Sequence, residues 1–205
     1  MGKKNKSKRP KVESQPPKLS FRQEVLNGWK DRNPILKFVL GFAVLMIIFY
    51  SFWFTDLFTN NVLNPVVNGS ARVAGTILNL FGYDVNIGGP KIYSNDFSIS
   101  IEKGCDALEP IAIYLFAVLL FPTALKNKWR GIAFGIPLLL VVNQVRIISL
   151  YLIGVYGKPI MGDSFIFLFD IMHMQVWQVL FILITLLVLA YWIIWSLRRE
   201  RQTAA

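Results

Sequence analysis

Cysteine and histidine each occur once in the 205 residues, as Cys105 and His173, and one arginine, Arg146, stands inside an apolar run. A thiol, an imidazole and a guanidinium are the parts of a cysteine acyl-transfer site. The imidazole takes the proton, the sulfur attacks a carbonyl, and the cation stands where the oxyanion develops. This chemistry needs no cofactor and no metal. A single cysteine also rules out an intrachain disulfide.

Each residue has a plainer reading. A lone cysteine is often a small apolar filler. Arg146 could pair with Glu109 and tie two helices together. His173 could be an interfacial histidine beside Trp177. Arg146 weighs most, because an arginine at the centre of a membrane helix costs about 2.5–3.5 kcal/mol on insertion scales, and intramembrane charges are functional by default.

The elements that must position these residues are four apolar runs of helical, membrane-crossing length, at about 35–55, 107–125, 131–153 and 175–197. The composition agrees: 54% of the residues are hydrophobic and the mean hydropathy is +0.47. The expected fold is therefore an all-α integral membrane protein of four transmembrane helices, with a small extracytoplasmic helix plus β-hairpin between helices 1 and 2. The first run is too long, and lacks the small-residue cleavage site, for a removable signal peptide.

The net charge of +10 does not point to nucleic acid, since 11 of the 22 Lys and Arg precede residue 38. Residues 1–20 are charged, Pro-containing and expected to be disordered. Residues 21–33, with Phe21, Val25 and Trp29 four apart, are expected to form an amphipathic interfacial segment. Residues 35–197 are the membrane-embedded domain and 198–205 a second basic tail. Lys and Arg concentrate in both tails and in "KNKWR" after the second run, while 56–106 and 154–174 carry few. Both termini are thus expected in the cytoplasm, with 56–106 and 154–174 facing outward.

That orientation places Cys105, Arg146 and His173 on the outer side, from three separate segments. Counted from about 153, Arg146 lies roughly 10 Å below the outer boundary by helix rise. Asn143 lies one turn deeper on nearly the same face and could orient Arg146 or bond to backbone. Asp106 is expected to cap the second helix with Glu109 three residues on; the helix N-terminus would lower the Cys105 pKa, and the adjacent Asp106 and Glu109 push the other way. Asp170 could orient the His173 imidazole or cap the fourth helix. In the outer segment a helix is expected from about 66, then a strand, the "GGP" turn and a second strand at 97–102.

Three stretches, "GCDALEP", "NQVRIISLY" and "MHMQVWQ", resemble the exosortase/archaeosortase family of membrane cysteine transpeptidases. That family carries a Cys at a helix start, an Arg in an N-x-x-R-type motif on a later span and a His beyond it. Cys105, Asn143 with Arg146, and His173 occupy those places in that order, and the similarity covers roughly residues 35–197. It is greatest to the short exosortase H type; larger members have more spans.

The resemblance implies catalytic Cys105, Arg146 and His173 at the extracytoplasmic face of a bacterial inner membrane. Substrates would be exported proteins with a C-terminal motif, hydrophobic helix and basic cluster. Each would be cut near the motif, held as a thioester on Cys105 and passed to an envelope lipid or polysaccharide acceptor. The competing reading is a non-catalytic membrane scaffold or chaperone in an envelope-assembly system, in which Cys105→Ala would be silent. A channel is disfavoured because no internal repeat or broken-helix pair appears.

Overall fold

The first apolar run forms α1 (Pro34–Trp53). This is a computed structural model, and it describes residues 33–204. The expected tail 1–20 and all but the last residue of the segment 21–33 lie outside the described residues. The chain divides into two units, Met1–Lys37 and Phe38–Ala205, and every site residue belongs to the second.

Three helical stretches are long and apolar enough to cross a membrane: Pro34–Trp53, Leu125–Met161 and Phe165–Gln202. The second apolar run departs from expectation. It forms α4 (Leu108–Leu120), a helix of 13 residues, about 20 Å long by helix rise against a hydrocarbon core of ~30 Å.

Between α1 and α4 lies the segment expected outside. Thr55 starts the short α2 (Asp56–Phe58), its hydroxyl accepting from the Phe58 amide at 3.2 Å. A π-turn at Thr59–Leu63 leads into α3 (Asn64–Leu80), with a proline in its first turn, where no amide is needed. The Asn79 side chain then joins α3 to the next strand, accepting from the Val85 amide at 2.8 Å and donating to its carbonyl at 3.0 Å.

The expected hairpin is a three-stranded antiparallel sheet: β1 (Asn86–Gly88), β2 (Lys91–Tyr93) and β3 (Ser98–Ser100). Gly88 pairs Lys91 across Gly89 and Pro90. Gly89 has φ +63°, and the proline ring holds the next φ near −65°. Positive then negative φ is the sequence of a type II′ hairpin turn. The short β2 between the two expected strands is the element that periodicity missed.

The third run forms α5 (Leu125–Met161), which is longer than expected and runs through Pro137 and Pro159. The expected outward loop 154–174 is instead helical. After Met161 come a 3-10 turn at Gly162–Ser164, α6 (Phe165–Asp170), a π-turn at Ile171–Val176 and α7 (Trp177–Ala204). Phe165 explains the extension, because it packs on Gly157, where a Cβ would stand 3.1 Å from the ring. Arg146 is therefore 15 residues from the end of its helix, and its depth cannot be counted from 153.

Two apolar clusters meet along α5. One joins Trp53, Phe58, Val67, Leu78, Ile92 and Ile147 across α1, α2, α3 and the sheet. Where such side chains leave water, each contributes roughly 1.5–3 kcal/mol. The other joins Tyr114, Val118, Leu139, Phe181 and Trp192 from α4, α5 and α7. Lipid is as apolar as these residues, so this second cluster depends on close packing. Gly135 of α5 receives the Tyr114 ring and Gly131 the Trp192 indole, each filling the space a Cβ would take.

Candidate active site

Cys105 stands on a sharply turned link between β3 and α4. Gly104 has φ +93° and Ala107 φ +67°, the only positive φ of a non-glycine among the described residues. A left-handed alanine costs roughly 1–2 kcal/mol, so packing must hold it; Ala107 is buried within the second cluster. Asp106 ties the turn from inside. It is 1% exposed; its Oδ1 accepts from the Leu108 amide at 2.8 Å and its Oδ2 from the Gly104 amide at 3.0 Å. The Cys105 amide donates to the Glu102 carbonyl at 2.9 Å.

The expected capping box does not form. Ala107, not Asp106, is the N-cap of α4, although Asp106 does satisfy the first helical amide. Glu109 accepts from the Tyr50 hydroxyl of α1. Lys103 holds the other flank: its Nζ donates to the last carbonyl of α1, Trp53, at 2.6 Å and lies 4.9 Å from the centre of that indole. Cations at a helix C-terminus are favoured by the dipole.

Three segments converge on the sulfur. Cys105 Sγ lies 2.7 Å from His173 Nε2, and Arg146 Nη2 donates to Cys105 Sγ at 3.6 Å and to the His173 carbonyl at 3.4 Å. Arg146 is 3% exposed. Among the described residues its hydrogen bonds go to Cys105 and His173, not to Glu109.

The imidazole is placed by a π-turn, a single-turn bulge common at functional positions. His173 sits third in Ile171–Val176. An aromatic chain links it to the sheet: Tyr151 to Phe97 at 6.1 Å between centroids, Phe97 to Phe169 at 5.6 Å, and Phe169 to His173 at 6.0 Å. The Tyr151 hydroxyl also donates to Ser94 Oγ at 2.8 Å, in the turn preceding β3. The sheet, α5 and the start of α7 are thus fastened around the cysteine. Neither the π-turn nor the aromatic chain is visible as a motif.

The supporting residues divide. Asp106 builds the turn. Asn143 is fully buried, but neither its Oδ1 nor its Nδ2 has a partner among the described residues, so it does not bond to Arg146 or to backbone. Arg146 Nε is buried and without a partner as well. Asp170 is exposed, has no capping hydrogen bond, and makes none to His173 among the described residues.

Burial decides the electrostatics. Burial pushes the Cys105 thiol above its ordinary value; Arg146 opposes this, while Asp106 and Glu102 add to it. The helix N-terminus does not win, because α4 starts three residues beyond the sulfur. Burial likewise raises Asp106, against the amides of Leu108 and Gly104. A raised thiol pKa disfavours a preformed thiolate.

Chemically, the cluster offers a nucleophile, a base within hydrogen-bond reach and a fixed cation 3.6 Å from the sulfur. In comparison with known proteins, a family model described as transmembrane exosortase matches residues 35–191. No curated protein and no solved structure matches the chain.

Proposed function

Because the chain belongs to the transmembrane exosortase family, a family of membrane transpeptidase-like proteins, we propose that it cleaves the C-terminal sorting signal of exported proteins through a thioester on Cys105. The observation that carries this reading is the contact of Cys105 with His173 at 2.7 Å under the Arg146 guanidinium.

His173 Nε2 accepts the thiol proton as the sulfur attacks the scissile carbonyl carbon. The carbonyl oxygen becomes an oxyanion, and Arg146 supplies the positive charge beside it. As the tetrahedral species collapses, the C–N bond breaks and His173 returns the proton to the leaving amine. The thioester then passes its acyl group to a nucleophile of an envelope lipid or polysaccharide, or to water. Asn143 lies one turn from Arg146 on the buried face of α5, and its unpaired amide suits a substrate peptide group.

The substrates are exported proteins with a short C-terminal motif, a hydrophobic helix and a basic cluster. The helix lies beside the spans in the bilayer, and the outer segment 56–104 meets the motif. By the distribution of Lys and Arg the termini are cytoplasmic and the site extracytoplasmic, at a bacterial inner membrane. In this reading α4 serves as the fourth, short span.

The test is processing of such proteins by Cys105→Ala and Cys105→Ser variants shown to insert in the membrane. Loss of processing in both is expected. Undiminished processing by well-inserted Cys105→Ala overturns the proposal and favours a scaffold.

A further inference from the structure

We propose a binding site for an anionic phospholipid between α5 and α7, at the end of the molecule opposite Cys105. It rests on membership of a membrane family and not on the cysteine chemistry. A cavity of about 220 Å³ is lined there by Arg130, Phe134, Tyr191, Trp192 and Trp195. Arg130 Nη1 is buried in it and has no partner among the described residues. A guanidinium held against aromatic walls without an anion is unfavourable, and an oxyanion of matching geometry relieves it.

The surroundings select the anion. Residues 126–130 and 198–201 hold six Lys or Arg against one acid, Glu200. That acid is engaged elsewhere, accepting from the Thr123 hydroxyl and the Ala124 amide. A second cleft, lined by Trp195, Arg198, Arg199 and Gln202, continues the first, and the two share Trp195. Arg199 lies 5.4 Å from the Trp195 ring centre. One wall is thus cationic.

The other wall is apolar. Phe134 is 57% and Tyr191 63% exposed, and Phe134 lies one turn along α5 from Arg130, toward the membrane centre. A headgroup phosphate on Arg130 would lay its acyl chains along these rings. Free phosphate satisfies only the first half of this site, and a protein carboxylate lacks the chains. The floor is rigid: the Trp192 indole donates to the Asn127 carbonyl at 3.1 Å.

The test is native mass spectrometry of the full chain in detergent, titrated with phosphatidylglycerol or phosphatidylcholine of equal chain length. The expected result is one phosphatidylglycerol retained at least fivefold more tightly than phosphatidylcholine, with no displacement by millimolar inorganic phosphate. Arg130→Gln should reduce that preference at least fivefold, and Arg130→Lys should keep part of it. Equal retention of the two lipids by the unaltered protein marks an ordinary aromatic belt and overturns the proposal. So does an unchanged preference in Arg130→Gln, or displacement by inorganic phosphate. Processing by Cys105 is not an arm of this experiment, so either idea can fail alone.

Discussion

Cys105 and His173 are 68 positions apart in the chain, yet Sγ and Nε2 are 2.7 Å apart, one on a strained turn and the other on a π-turn. Neither position follows from regular secondary structure. Packing from the sheet, α4 and α5 holds both, and the consequences can be measured.

The first concerns pH. Burial disfavours the charged sulfur, so the Cys105 pKa lies above the ordinary 9.0 despite Arg146. Because a raised pKa lowers the thiolate fraction at neutral pH, alkylation by a small neutral reagent should be slower than for an exposed thiol. It should keep rising as pH passes 9.0. A rate already level at pH 7 would show a preformed thiolate–imidazolium pair instead.

Arg146 reaches two groups through one nitrogen, Nη2, and is held between them. A lysine carries the charge but lacks the planar fork. Removing an oxyanion donor typically lowers turnover about 10²–10³-fold. Arg146→Lys should therefore lose processing on that scale while still inserting. Activity within a few-fold of the parent would reduce Arg146 to a packing charge.

Asp106 supports the turn through two amide hydrogen bonds to a buried carboxylate. Hydrogen bonds to charged groups contribute about 1.5–3 kcal/mol each. Asp106→Ala should lower the thermal midpoint in detergent and also make Cys105 react faster with a bulky alkylating reagent. An unchanged midpoint with unchanged labelling would mean that the turn holds without it.

Gly154 lies under the Phe97 ring, in the space a Cβ would need. Overpacking of this kind costs typically about 1–3 kcal/mol. Gly154→Ala should push Phe97 toward Phe169 and so disturb His173. Both thermal stability and turnover should fall, whereas a neighbouring change at the exposed Tyr156 should affect neither strongly.

The chemistry was more legible in the sequence than the framework. Unique Cys105, unique His173 and an arginine in an apolar run stand out by rarity alone, and the structure brings them together. The α3 helix was visible because Val67 and Leu78 repeat at helical spacing. Other features depend on tertiary contact. The α4 helix is short because it stops at Leu120, where Phe121, the residue before Pro122, is extended. The α5 helix continues past Pro159 because Phe165 packs on Gly157. The β2 strand is three residues long, too short for a period. Ala107 in a left-handed conformation breaks local preference, as strained residues near reactive groups often do.

Whether Cys105 carries the acyl group is decided by intact-mass analysis of the protein after acid quench during processing of a sorting-signal substrate. An acyl adduct is expected on Cys105, one that neutral hydroxylamine removes and that Cys105→Ala never forms. Continued processing with no such adduct would contradict it.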